Sequence, residues 1–291
     1  MTKFFRALAL LALGTNIVSA QDPATAPGTL AYHLATNAAA RATLPLDRAV
    51  FNGPNSVGLD HLTGAHWSPT FWLHGVHGLS ATPIGYTNYP LSGQGLPTLV
   101  SPRHYLCATH MHPEAFTVAF LDTNNVVCFR RTLQKVDVGS DTSVGLLDND
   151  VPASVEYLPV LPTDFMSYLP ATSTNYVQGI GMNQAFYVFP QPMCFWSPGS
   201  VTWDPGMAVP HGVSTNGDVP IGGGDSSSPE MLLVGNQLVL ASHIYSARGG
   251  PNYAYQIYAI DEKMHYLSTN NHCASDYQLT EFSLGNWPKI R

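Results

Sequence analysis

The stretch "IGGGDSSSPEMLLVGNQLVLASHIY", residues 221–245, decides the fold class of this chain. Two apolar runs flank Gly235-Asn236, and a Gly-Asn pair between apolar runs is a specific signal of a tight β-hairpin. The glycines and serines before the hairpin are typical of a turn or loop. The stretch therefore predicts a serine-rich loop that leads directly into a two-stranded hairpin.

Short β-type runs broken by Gly, Pro and Asn make up most of the chain from about Gly58 onward, among them "AFTVAFL", "NVVCFRRTL" and "AFYVFP". Many short strands at regular spacing predict an all-β barrel or sandwich. Near the end, "YAIDEKMHYLS" places Ile260, Met264 and Leu267 on one face of a short amphipathic helix. The sequence thus predicts an all-β protein with a short helix near its C-terminus.

Residues 1–20 have the pattern of a secretory signal peptide. Lys3 and Arg6 precede the apolar run "ALALLALG", and the small residues Val18-Ser19-Ala20 form a cleavage signal. No later stretch has about 18 uninterrupted apolar residues, as a membrane-spanning helix requires. We therefore expect a secreted or periplasmic protein with no membrane span.

The next segment, residues 21–58, is rich in Ala, Pro and Thr. It contains one helix-like piece at Leu34–Leu44. This composition predicts an N-terminal extension or propeptide, and a disordered linker is the alternative.

The composition limits the partners and the redox state of the protein. Only 11 % of the residues are charged, and no cluster of Lys or Arg stands out, which argues against a nucleic-acid partner. Four cysteines fit an exported protein and allow three pairings. If each half of the chain closes its own loop, the pairs are Cys107–Cys128 and Cys194–Cys273, but spacing alone does not exclude free buried thiols. No CxxC pair suggests a structural zinc site.

Three segments supply the side chains of a Ser-His-Asp triad. "SPRHYLCATHMHP" places a strand-like run before His110, "VGSDTSVGLLDNDVP" places Asp141 before an apolar run, and "GGGDSSSP" supplies Ser226. A serine hydroxyl becomes an effective nucleophile when a histidine takes its proton and a buried carboxylate orients that histidine. We therefore predict Ser226 as the nucleophile, His110 as the base and Asp141 as the orienting acid.

These segments resemble the motifs of the trypsin-like serine peptidases, which have the chymotrypsin fold, over roughly residues 60–291. "CATH" is similar to their histidine motif, and "DTSVGLL" is similar to their acid motif. "GDSSSP" is similar to the nucleophile motif Gly-Asp-Ser-Gly-Gly-Pro, with Ser227 and Ser228 where glycines are usual. Three motifs agree in order and spacing, which makes the resemblance fairly specific.

The resemblance implies two six-stranded antiparallel β-barrels with the active site between them. The first barrel would span residues 59–160 and carry His110 and Asp141, and the second would span residues 161–291 and carry Ser226. The implied activity is that of a secreted, monomeric serine endopeptidase. Such an enzyme cleaves polypeptides through an acyl-enzyme intermediate and uses no cofactor or metal.

The resemblance also implies how the substrate is held. The backbone N–H groups of Gly224 and Ser226 would form the oxyanion hole. His243 is similar to a histidine of the bacterial glutamyl endopeptidases that contacts an acidic side chain, and Ile244–Ser246 would pair with the substrate backbone as an added strand. The alternative for His243 is an ordinary core histidine with a satisfied ring.

Other functions fit parts of the sequence. A trypsin-like homologue without activity would act as a secreted binding protein, because Ser227 and Ser228 replace the glycines of the motif. The segment "HLTGAHWSPTFWLHGVHG" has four histidines, which suggests a metal-binding secreted β-protein, and its aromatic residues suggest a binding module. The residues that compete for places in the triad are His104, His112, Asp137, Asp148 and Asp150.

Overall fold

The computed structural model describes residues 26–41, 51–52, 62, 64–86, 96–111, 116–170, 175–182, 188–196, 199–203, 224–245 and 249–290. The predicted signal peptide, residues 1–20, lies outside them. Within the described ranges, no helix is long and apolar enough to cross a membrane.

In the described part of the chain up to residue 147 there are one α-helix and eight strands, and six of these strands form the first large sheet. Helix α1 spans Leu30–Arg41, and the strands are β1 (Phe51–Asn52), β2 (His66–Trp67), β3 (Gly85–Tyr86), β4 (Thr98–Leu99), β5 (His104–Ala108), β6 (Thr117–Leu121), β7 (Val127–Gly139) and β8 (Thr142–Leu147). β1 and β2 form a small sheet of their own. The first large sheet has the strand order β3-β6-β7-β8-β5-β4, and all neighbouring strands are antiparallel.

The second large sheet is also antiparallel and has six strands. These are β9 (Asn175–Met182), β10 (Val188–Trp196), β11 (Ser200–Trp203), β12 (Pro229–Val234), β13 (Gln237–His243) and β14 (Gly249–Pro251), in the order β13-β12-β9-β10-β11-β14. Val234 pairs with Gln237 across the Gly235-Asn236 turn. The predicted hairpin is therefore confirmed.

The two large sheets are open, whereas the resemblance implied closed barrels. Closure needs a hydrogen-bonded ladder between the two edge strands of a sheet. The edge strands β3 and β4 have two residues each, and among the described residues no ladder joins them to each other or joins β13 to β14. The chain thus forms two curled antiparallel half-barrels, and these fit a chymotrypsin-like fold with a short C-terminal helix.

That C-terminal helix, α2, spans Ile257–Asn270. Its predicted apolar face is confirmed, because Ile260, Met264 and Leu267 are all fully buried. α2 packs against β7 and β8, and the side chain of Thr142 donates to Gln256 Oε1, just before the helix, at 3.0 Å. The helix therefore anchors the beginning of β8.

The β12–β13 hairpin has one face in each of two apolar cores. The first core joins the first sheet and α2 to the second sheet and includes Tyr105, Phe120, Leu146, Ile260, Met231, Leu233, Leu238 and Leu240. The second core lies on the other face of the second sheet and includes Leu30, Leu34, Phe165, Phe195, Leu232, Val234, Val239 and Ala241. Successive side chains of a strand point to opposite faces, so the consecutive buried apolar residues 231–234 and 238–241 fill both cores.

Helix α1 is part of the second core. It begins at Leu30, because the hydroxyl of Thr29 caps the N–H of Tyr32 at 3.2 Å, and it ends at Arg41. Leu34 is 1 % exposed, and the helix contacts β9 and β12. The disordered-linker alternative is therefore wrong for this stretch, whereas removal of residues 21–58 as a propeptide stays a prediction.

All four cysteines are free thiols, so the expected disulfides are absent. Cys107 lies on β5 and Cys128 on β7, with β8 between these strands in the sheet. Two strand spacings amount to about 9.5 Å, which exceeds the Cα separation of about 7 Å that a disulfide can bridge. Cys273 packs against the first core, whereas Cys194 lies on β10 of the second sheet.

Candidate active site

His110 and Asp141 lie side by side at one end of the first sheet. β5 and β8 are antiparallel with Ala108 opposite Thr142, so the residues just after β5 meet the residue just before β8. His110 Nδ1 lies 2.6 Å from Oδ2 of Asp141, and the backbone N–H of His110 donates to Oδ1 at 3.2 Å. The carboxylate thus binds both the ring and the backbone of His110.

Asp141 stands in the two-residue turn between β7 and β8. Ser140 and Asp141 have φ of 53° and 58°, and a type I′ hairpin turn needs positive φ at both central positions. Asp adopts this left-handed conformation more readily than most residues. The Asp141 side chain is 24 % exposed, less buried than expected for a triad acid, because a turn at the end of a sheet has fewer neighbours than the strands.

Lys135 fixes the backbone on both sides of His110. Its ammonium group donates to the carbonyl oxygens of Thr109 and Met111, each at 2.7 Å. The N–H of Thr109 in turn donates to the carbonyl oxygen of Asp141 at 2.9 Å. Lys135 was not predicted from the sequence, where its one signal is a basic residue in the middle of the β-type run "LQKVDVG".

The serine-rich loop reaches the same end of the first sheet. The backbone N–H of Ala108 donates to Ser227 Oγ at 2.8 Å, and the backbone N–H of Leu96 donates to Ser228 Oγ at 3.4 Å. Ser226 therefore precedes Ser227, which is hydrogen-bonded to the end of β5, the strand that leads to His110. These contacts bring the loop of the second sheet against the strand end that carries the histidine.

Of the three serines in this loop, Ser226 alone is accessible. Ser227 and Ser228 are fully buried, whereas Ser226 is partly exposed. Ser227 has a φ of 77°, in the left-handed region that favours glycine, at a position where the resembled motif has glycine. Both observations support the register in which Ser226 is the reactive serine.

Gly224 and Ser226 flank a tight turn. The carbonyl oxygen of Asp225 accepts the N–H of Ser228 at 2.9 Å, and Gly224 has a φ of 103°, which glycine adopts without strain. Among the described residues, the N–H groups of Gly224 and Ser226 donate to no acceptor. Two unpaired backbone donors next to a serine hydroxyl are suited to binding a developing oxyanion.

Both ring nitrogens of His243, the predicted specificity residue, have partners within the protein. It is 1 % exposed, Nδ1 is bonded to the Tyr253 hydroxyl, and Nε2 lies 3.2 Å from the carbonyl oxygen of Asp141. Ile244 is also occupied, because its backbone groups bind Ser227 and Ser228. Ser246 lies outside the described residues. His243 is thus a buried residue behind Asp141 with a partner for each ring nitrogen, and its role in specificity stays a prediction.

Glu230, shortly after the serine loop, is a fully buried carboxyl group. Within the described part of the chain neither of its oxygens makes a hydrogen bond, and the nearby Ser242 hydroxyl donates to the carbonyl oxygen of His243. Burial raises the pKa of Glu230 from 4.5 to about 8, an effect that Ser242 only partly opposes. Glu230 is therefore mainly protonated at neutral pH.

Glu230→Gln is expected to become more stable relative to wild type as the pH rises from 4.5 to about 8. Over this range the unfolded chain has lost the Glu230 proton and the folded chain keeps it, so the wild type loses up to about 1.4 kcal/mol of stability per pH unit through this group. Below pH 4.5 Glu230 is protonated in both the folded and the unfolded chain, so the wild type loses no stability through this group. Denaturant unfolding at several pH values measures the difference.

The matched control for this prediction is Glu262→Gln. Glu262 lies on α2 with its side chain 75 % exposed, so its replacement should give a pH dependence like that of the wild type. Parallel stability curves for Glu230→Gln and wild type would contradict the raised pKa of Glu230.

The other histidines of the sequence analysis lie away from this site or outside the described residues. His104 is buried, and its two ring nitrogens contact the hydroxyls of Ser101 at 2.9 Å and Ser268 at 3.3 Å. His61 and His112 lie outside the described residues. The part of the chain that the structure describes has no group of three or more His, Cys, Asp or Glu side chains placed to hold a metal ion.

Comparison with known proteins assigns no family to this chain. No protein-family model and no curated protein matches the sequence of this chain. The function is therefore inferred from the residues of the site.

Proposed function

We propose that this chain is a secreted serine endopeptidase in which Ser226 is the nucleophile, His110 the general base and acid, and Asp141 the residue that orients His110. The contact between Ala108 and Ser227 carries this proposal, because it joins the serine loop to the strand end beside the His110–Asp141 pair. Secretion is proposed from residues 1–20, which have the pattern of a signal peptide.

The bond between His110 and Asp141 sets the protonation that the mechanism needs. An ionised carboxylate only accepts hydrogen bonds, so Nδ1 of the neutral His110 carries the proton and Nε2 keeps a lone pair. Nε2 takes the hydroxyl proton as Ser226 Oγ attacks the carbonyl carbon of the scissile peptide bond. The Asp141 carboxylate stabilises the imidazolium that forms.

The tetrahedral intermediate places negative charge on the former carbonyl oxygen. The N–H groups of Gly224 and Ser226 stabilise this oxyanion. Collapse of the tetrahedral intermediate breaks the peptide bond, and Nε2 of His110 gives its proton to the leaving amine. The acyl group then remains on Ser226 until a water molecule, activated by His110, hydrolyses the ester.

Labelling with a fluorophosphonate probe tests this function, because the probe reacts with an activated serine whatever the natural substrate is. Wild type is expected to be labelled, and Ser226→Ala is expected to lose at least about 10³-fold of the labelling rate, since the nucleophile itself is removed. Ser227→Ala is the comparison variant: it keeps Ser226 and is expected to keep the labelling, at a lower rate because the bond from the Ala108 N–H to the Ser227 hydroxyl is lost.

The outcomes separate the alternatives once circular dichroism has shown that each variant is folded. Labelling that is lost in Ser227→Ala and kept in Ser226→Ala would show that the serine register is wrong. A folded wild type that is not labelled would favour the homologue without activity.

A further inference from the structure

A buried histidine–tyrosine pair lies directly behind Asp141. His243, the last residue of β13, and Tyr253 are 1 % and 0 % exposed. The Tyr253 hydroxyl is bonded to His243 Nδ1, and His243 Nε2 lies 3.2 Å from the carbonyl oxygen of Asp141. The proposed triad uses neither side chain.

The partners of His243 determine where its protons are. A carbonyl oxygen only accepts, so Nε2 carries a proton and donates it to Asp141. Burial lowers the pKa of His243 to about 4, so the ring is neutral and Nδ1 has a lone pair. Burial also raises the pKa of Tyr253, which keeps its hydroxyl protonated and able to donate to Nδ1. The chain of donors therefore runs in one direction, from Tyr253 through His243 to Asp141.

The residue after His243 holds the nucleophile loop. Ile244 accepts the N–H of Ser227 at 2.7 Å and donates its own N–H to the carbonyl oxygen of Ser228 at 3.0 Å. His243 thus binds the turn that contains Asp141 in the first sheet, and the next residue, Ile244, binds the serine loop of the second sheet.

We propose that His243 is a positioning residue that, together with Tyr253, fixes the turn of Asp141 relative to the loop of Ser226. This role rests on the proposed function and is distinct from substrate recognition. The bond from His243 crosses from the second sheet to the first, and it gives the Asp141 carbonyl oxygen a second donor beside the N–H of Thr109, which binds it at 2.9 Å. Asp141 has a left-handed backbone, a strained conformation that persists only where its surroundings hold it. When Asp141 shifts, its carboxylate no longer aligns with Nδ1 of His110.

The other ionisable groups near this pair are few. Asp141 and His110 face His243, while Cys107, Glu230 and Asp141 face Tyr253. Burial raises the pKa of Cys107 to about 12 and that of Glu230 to about 8. Both groups are therefore mainly protonated at neutral pH.

The test measures the rate of fluorophosphonate labelling of Ser226 against pH in the full chain. His243→Leu removes the one donor that reaches the Asp141 carbonyl oxygen from the second sheet, so its maximal rate is expected to fall by about 10- to 100-fold, the size of effect known for residues that orient metal ligands through one hydrogen bond. The midpoint of its pH profile is expected at a lower pH than in the wild type, because a misaligned carboxylate stabilises the His110 imidazolium less.

Two conservative variants separate positioning from packing. His243→Gln keeps an N–H donor near the position of Nε2, and it is expected to restore most of the rate and the wild-type midpoint. Tyr253→Phe keeps the ring and removes the bond to Nδ1, so it is expected to change the rate and the midpoint in the same direction as His243→Leu, by less. If His243→Leu does not fold, the comparison of His243→Gln and Tyr253→Phe with wild type decides whether His243 is a positioning residue.

The results that overturn the proposal are distinct from those that overturn the function. A labelled wild type whose rate and midpoint are unchanged in folded His243→Leu, or in Tyr253→Phe where the Leu variant does not fold, would rule out the positioning role alone. A His243→Gln variant as slow as His243→Leu would do the same. A wild type that is not labelled would overturn the serine mechanism, and the positioning role with it.

Discussion

Asp141→Asn is expected to lower the rate of fluorophosphonate labelling of Ser226 by about 10⁴-fold while the fold stays intact. The amide group of Asn can donate to His110 Nδ1, which moves the ring proton to Nε2 and removes the lone pair that must accept the Ser226 proton. Asn also tolerates the left-handed backbone, in which Asp141 has a φ of 58°. The loss would therefore come from the histidine tautomer and not from unfolding.

Asp137→Asn is the matched control. Asp137 precedes the same turn and accepts bonds from the Thr109 hydroxyl at 3.1 Å and the Gly139 N–H at 2.8 Å, without contacting the His110 ring. Its labelling rate should stay close to that of the wild type. If Asp137→Asn lost the activity and Asp141→Asn kept it, the acid of the triad would be wrongly assigned.

Gly250→Ala is expected to destabilise the folded protein by more than about 3 kcal/mol, because a methyl group has no space there. A Cβ at Gly250 would lie 1.6 Å from the carbonyl oxygen of His243 and 2.5 Å from Ser242 Oγ. The carbonyl group belongs to the backbone of a residue whose ring is bonded to Tyr253 and Asp141, so it cannot move aside alone. Equilibrium unfolding in urea measures the loss.

Gly285→Ala is the control for this substitution. At that position the nearest atom to a new Cβ is Ser283 Oγ at 3.6 Å, an ordinary contact distance. Its stability should stay within about 0.5 kcal/mol of the wild type. Equal urea midpoints for Gly250→Ala and Gly285→Ala would contradict the close packing between β14 and the end of β13.

The features that the sequence predicts correctly depend on residues close together in the chain. The Gly235-Asn236 hairpin follows from one dipeptide between apolar runs, and the buried face of α2 follows from the spacing of Ile260, Met264 and Leu267. The beginning of α1 was missed by four residues, because apolar spacing carries no information about the Thr29 cap.

The features that the sequence does not predict depend on contacts between distant segments. His243 has the same neighbours in sequence whether its ring faces a substrate or the Asp141 carbonyl oxygen, which is 102 positions away in the chain. Lys135 was missed for the same reason, and the open edges of the sheets depend on which strands fail to pair. The three residues of the proposed triad could be named from motifs, whereas the hydrogen bonds around His110 and Asp141 could not.

The β12–β13 hairpin, with one face in each apolar core, bears on how the proposed protease would resist its own activity. A protease cuts a folded protein where a segment opens locally, and a half-barrel that unfolded independently would provide such segments. Here neither half can open without exposing Leu233, Leu238 and Leu240 on one side of the hairpin or Leu232 and Val239 on the other. Loss of one half-barrel, and self-digestion of the proposed protease through it, would therefore cost the burial of at least one face of this hairpin.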